Sequence, residues 1–170
     1  KASAAAVRAL LEAGIPDPLR ATVWPILIGN PQQINLDMYK SCVRRFKDST
    51  VVSSSSAGTE WTAHRDIIVD LPRTFPSLPQ FNVRVGDWGS PAENLYSVLS
   101  AFAYHRPDIS YVQGMSFIAA FLLFRMDPAS TFCCLCNVLS APLMFRMFTM
   151  DMVAINSMSS QWTTVFTRNN

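Results

Sequence analysis

The chain has 170 residues, 49% of them apolar and only 15% charged, with a formal net charge of +2. That length supports one domain with a proper core. The even charge balance contains no block of Lys and Arg, which excludes the electrostatic footprint of a nucleic-acid or membrane-surface binder. A charged share below the ~25% usual for soluble domains means that helices are buried on more than one side, or that apolar surface is left for a partner or a missing part of the chain.

In chain order, the alanine-rich stretch 3–14 reads as a helix stopped by Gly14, with Pro16 just beyond. Asp17 is placed to cap a second helix with Pro18 at its first position, and Leu19, Val23, Ile26 and Leu27 recur at helical spacing up to Gly29. Pro25 falls inside that pattern and is expected to distort it. A third helix starts near Asn35, its apolar face marked by Leu36, Tyr39, Val43 and Phe46. Residues 48–60 include four consecutive serines and a glycine, and read as a mobile loop. A fourth helix covers Trp61 to about Leu71, and 72–89, with three prolines and two glycines, reads as irregular.

Ser90-Pro91-Ala92-Glu93 is a capping box with proline at the first helical position, opening a helix with the stripe Leu95, Val98, Leu99 and Phe102. A very apolar helix is expected from about Tyr111 to Met126. Its densest run, 116–124, is too short for a membrane span, which needs ~20 apolar residues. Asp127-Pro128 caps another helix, with Phe132, Leu135 and Leu139 facing inward, and the methionine-rich stretch from Met144 is partly helical. No strand alternation and no internal repeat is visible, so the fold class expected is all-α.

Lys1 leads into small alanines with none of the features of a secretory signal. Cys42, Cys133, Cys134 and Cys136 form no paired CxxC, and histidines are scarce, only His64 and His105. They read as buried reduced thiols of an intracellular protein. A metal site is the competing reading, but the three clustered cysteines point ~100° apart around a helix for each residue step and converge poorly.

Two short stretches carry chemistry. In residues 67–76, Pro72 ends the helix near Asp70, so Arg73 projects from the first turn beyond it, where Asp70 could hold the guanidinium by a charge-assisted bond. A fixed guanidinium suits a phosphate. An arginine there also suits the helix dipole and the last free carbonyls, so this stretch alone favours a structural role. In residues 110–115, Ser110 and Gln113 fit a capping box. Alternatively, Gln113 presents its amide outward at the first turn of a helix, with Gly114 leaving room beside it. An amide both donates and accepts, which is what orienting a water molecule requires.

Together these segments resemble the TBC domain of Rab GTPase-activating proteins over nearly the whole chain. Gly14, Ile15, Pro16, Arg20 and Trp24 are similar to that family's opening signature. Ile67, Asp70 and Arg73 match its IxxDxxR motif, followed by Thr74-Phe75-Pro76. Tyr111, Gln113 and Gly114 match YxQG. The resemblance implies an orthogonal multi-helix domain that binds a Rab small GTPase in its GTP form. Arg73 would neutralise charge on the transferring phosphoryl group, and Gln113 would orient the attacking water. Asp70, Tyr111, Gly114 and Ile67 would support these fingers.

The protein would be an activator rather than an enzyme. It would carry no cofactor of its own, because GTP and Mg belong to the Rab, and no metal. It would be cytoplasmic, meeting endomembranes only through the Rab. Trp24 is read as a core residue. Arg20 is read either as ordering a loop near the site or as pairing on the surface; both are structural or Rab-interface candidates, and neither is assigned catalysis. The sequence departs from the family pattern at Ala21, where glycine is usual, and at Pro25. Family domains continue through a second helical subdomain, so residues 1–170 are expected to be one TBC domain truncated on its C-terminal side. A catalytically impaired Rab-binding module is the alternative reading.

Overall fold

The computed structural model describes residue 8 and residues 11–52, 59–78 and 90–168. From Asp17 onward the elements are α1 (Asp17–Ile28), α2 (Leu36–Val52), α3 (Thr59–Asp70), a 3-10 turn (Leu71–Arg73), α4 (Pro91–His105), α5 (Met115–Leu123), α6 (Pro128–Ser140), α7 (Pro142–Phe148) and α8 (Met152–Arg168). No strand occurs among the described residues, and the fold is all-α.

The organising element is α4. Ser90 accepts from the Glu93 amide at 3.1 Å and Pro91 fills the first turn, as the capping box predicts. The stripe Leu95, Val98, Leu99 and Phe102 is completely buried. A side chain of that size removed from water contributes about 1.5–3 kcal/mol. Around α4 pack α2, α3, α5 and α6. Phe46 of α2, Ile67 of α3, Met115 of α5 and Phe132, Leu135 and Leu139 of α6 complete the core. The Asp127 carboxylate accepts from the Ala129 and Ser130 amides at 2.9 and 3.0 Å, fixing the start of α6. The link between α1 and α2 is tied down by Asn137 of α6, whose Nδ2 donates to Asn30 Oδ1 at 3.0 Å and whose Oδ1 accepts from the Gln32 amide at 3.1 Å.

Several expectations are corrected. The loop at 48–60 is shorter: α2 runs to Val52 and α3 begins at Thr59, while 53–58 lie outside the described residues. Serine costs a helix little, and Ser49 Oγ donates back to the Phe46 carbonyl at 2.8 Å within α2. Most of the first expected helix, and 79–89 of the expected irregular stretch, also lie outside. Pro16, not Asp17, occupies the cap position of α1, without a side-chain cap bond. The Asp17 carboxylate instead meets Arg20 at 3.0 Å and Arg125 at 2.6 Å. The apolar helix expected over 111–126 is confined to Met115–Leu123. No single helix among the described residues is long and apolar enough to cross a membrane. Only α6 and α7 together meet that composition, as a pair bent by 86°.

Candidate functional site

The end of α3 and the segment entering α5 meet at a surface cleft of about 270 Å³. Asp66, Val69, Asp70, Arg73, Tyr111 and Gln113 line it. Arg73 and Gln113 thus open onto one cavity, and both are exposed.

Local chemistry explains how each arrives there. Pro72 cannot donate to continue α3, so the chain tightens into the 3-10 turn, with Arg73 as its last residue. Leu71 on one side is buried. Thr74 on the other is fully buried. Its Oγ1 donates to the Asp70 carbonyl at 2.8 Å and its amide to the Leu71 carbonyl at 3.1 Å, satisfying two carbonyls left free by the end of the helix. Ile67 sits one turn back with no exposure and anchors α3 in the core. Phe75 has φ 51°, in the left-handed region, where a bulky residue costs about 1–3 kcal/mol. Its ring packs against Phe117 (5.3 Å between centroids, edge to face) and Phe124 (5.5 Å).

On the other wall, Ser110 has φ 58° and its amide closes a turn onto the Arg106 carbonyl at 2.7 Å. Gly114 (φ 97°) stands at the cap of α5, and Met115 is its first residue. The expected capping box is therefore not formed, and Gln113 lies in the turn before the helix rather than in its first turn. A side chain at Gly114 would meet nothing within 4 Å, so glycine is needed there for its backbone angle and not for space.

Between the walls runs a buried bond: the Tyr111 hydroxyl donates to Asp70 Oδ2 at 2.7 Å. Burial first, and then the bond to Asp70, hold the Tyr111 phenol protonated well above its ordinary range. The expected Asp70–Arg73 pairing is correspondingly weak. Arg73 Nη1 stands 4.0 Å from Asp70 Oδ1, and the Arg73 side chain is 67% exposed. The carboxylate is spent on the tyrosine, and the guanidinium is left facing the cleft.

Arg20 and Trp24 do not line this cleft. Trp24 is half-buried at the edge of the core, packed against it and stacked on exposed Phe121 at 5.2 Å. Arg20 donates through Nε to the Ile15 carbonyl at 2.9 Å, pairs with Asp17 and lies over the Trp24 ring at 5.9 Å. Asp66 and Val69 of the cleft were missed from the sequence. They stand four and one residues before Asp70 on α3, so helical spacing offers a signal for both. Among the described residues no group of three or more His, Cys, Asp or Glu side chains is placed to hold a metal ion. Burial pushes the Cys134 thiol up to about 11 and raises that of Cys136 further, which disfavours the thiolate form in both.

The family model of the Rab-GTPase-TBC domain matches residues 17–170. The chain belongs to that family. This TBC domain is 38% identical to TBC1 domain family member 14 of Bos taurus over 157 residues, and 36% identical to member 12 of Mus musculus over 156 residues. Each match covers 85% of this chain and 22% of the relative, so the chain spans about a fifth of the length of the curated relatives it matches. Among solved structures it is similar to the Ypt/Rab-GAP domain of Gyp1p, at 22% identity and a TM-score of 0.44, over 74% of this chain and 48% of that one. In this chain, residues 66–73 and 111–113 are the two segments that meet at the cleft.

Proposed function

We propose that this domain is a GTPase-activating protein for Rab small GTPases, lending Arg73 and Gln113 in trans to the nucleotide site of a GTP-bound partner. The observation that carries the reading is the opening of one guanidinium and one carboxamide, from two separate segments, onto a single exposed cleft. Arg73 offers a planar fork of donors to the oxygens of the transferring phosphoryl group. Gln113 accepts from a water and donates to a neighbouring oxygen, which sets the line of attack. An arginine supplied in trans is worth about 10³–10⁵ in rate, or roughly 4–7 kcal/mol of transition-state stabilisation. Asp70, Tyr111, Gly114 and Ile67 hold the two carriers. The nucleotide and its Mg²⁺ come with the Rab, and the domain supplies side chains without turning over a substrate of its own. It works in the cytoplasm and reaches endomembranes through the Rab.

The test is phosphate release from a panel of GTP-loaded Rabs. One or more should respond, and Arg73→Ala and Gln113→Ala should each abolish the response. No response from any Rab, or a response that survives both changes, overturns the proposal. Binding without any gain in rate assigns the domain instead as a Rab-binding module.

A further inference from the structure

Arg73 is poorly held by its own side chain: 4.0 Å is the outer limit of an ion pair, and the group is mostly in solvent. Its position is therefore set by its backbone. On the C-terminal side that backbone is fixed by Phe75. Pro76 closes the right-handed helical well to Phe75, and φ is 51°. An angle so unfavourable for a bulky residue persists only where the surroundings over-determine it. Here they do: the ring is wedged between Phe117, on α5, and Phe124, at the end of α5. This is the helix that starts two residues after Gln113. Apart from the Tyr111–Asp70 bond, the wedge is a second tie between the two walls, on the opposite side of Arg73 in the chain.

We infer that Phe75 is a positioning residue, whose ring between Phe117 and Phe124 sets the Arg73 turn at a fixed distance from Gln113. The structural part rests on the fold alone. Its catalytic consequence rests on the Rab reading above. A displacement of about 1 Å at a catalytic group costs on the order of 10²-fold in rate, so loss of the wedge acts on kcat and not on partner affinity.

Two readouts on the intact chain decide it. The first needs no partner. Amide exchange at Thr74 and Leu78, whose N–H groups bond the Leu71 and Phe75 carbonyls at 3.1 and 2.8 Å, should speed up at least tenfold in Phe75→Ala while the α4 amides keep their protection. The second is stimulated GTP hydrolysis. In Phe75→Ala kcat should fall about ten- to a hundredfold with KM within about threefold, and Phe75→Tyr, which keeps the ring, should restore it. Phe117→Ala removes one face of the wedge at a position 44% exposed, where folding tolerates truncation, and should reproduce both effects if Phe75→Ala does not fold. Unchanged exchange, or a raised KM with kcat intact, overturns the inference. Accelerated exchange in a protein whose wild type stimulates no Rab would sink the Rab reading and leave the wedge standing.

Discussion

Tyr111→Phe isolates the bond that joins the two walls of the cleft. It removes one oxygen and leaves the ring, so packing is conserved and the loss is electrostatic. The bond is short, 2.7 Å, and both residues are 8% exposed, so water does not readily replace it. A hydrogen bond to a charged group contributes about 1.5–3 kcal/mol, and leaving a buried carboxylate short of a donor falls in the same range. At about 2–4 °C per kcal/mol for a domain of this size, a loss of about 2 kcal/mol lowers Tm by roughly 4–8 °C.

The same bond has a signature in pH. The native state keeps the Tyr111 proton above the ordinary value of 10.0, at which tyrosines of the unfolded chain ionise. Above that pH the unfolded chain releases a proton that the native state holds, so stability falls as pH rises; below it the contribution is whole. Tyr39, pushed up to about 12 by burial, and Tyr96 act in the same direction and remain in the variant. Thermal unfolding of wild type and Tyr111→Phe between pH 7 and 11 should show the drop at pH 7 and a shallower alkaline decline in the variant. A variant that melts within 1 °C of wild type at pH 7, with the same alkaline slope, would refute the role given to the bond.

Asn137→Ala removes the amide that binds Asn30, the Gln32 amide and the Cys133 carbonyl. It should cost about 2–3 kcal/mol in a urea melt without altering the cleft, and a loss below 1 kcal/mol would show that the α1–α2 link is held by other contacts. Gly114→Ala places a side chain at φ 97° in open space, so about 1–2 kcal/mol of backbone strain is expected with no clash. Stimulated hydrolysis should fall through displacement of Gln113, and an unchanged melt would contradict the strain. With a thiol reagent at neutral pH, half-buried Cys133 should react first and Cys42, Cys134 and Cys136 only slowly, while guanidinium releases all four. Rapid native reaction of all four would contradict their burial.

Features written in neighbouring residues were legible from the sequence. Ser90 and Asp127 cap the helices they were expected to cap, because a cap is a bond between a side chain and an amide two or three residues on. The stripe of α4 and the inward residues of α6 were legible because helical spacing and burial agree there. The same locality misled at Ser110 and Gln113. The pattern of a capping box is present, but Ser110 sits at a positive φ and Tyr111 is drawn inward to Asp70, so the helix waits until Met115. Trp24, by its type a core residue, lies half-open on Phe121 because α1 buries none of its residues fully.

Local residue pattern suffices to specify that the domain is helical, where α4 and α6 begin, and which two short segments carry an arginine and an amide beside helix breaks. The partner of Asp70, by contrast, is set by packing between distant segments. Spacing along the chain offers Arg73, three residues away, but the carboxylate is buried and takes the hydroxyl of Tyr111, forty-one residues away, at 2.7 Å. Spacing carries no information about a contact that exists only once α3 and the approach to α5 have packed on α4. That choice frees the guanidinium toward the cleft that Gln113 shares.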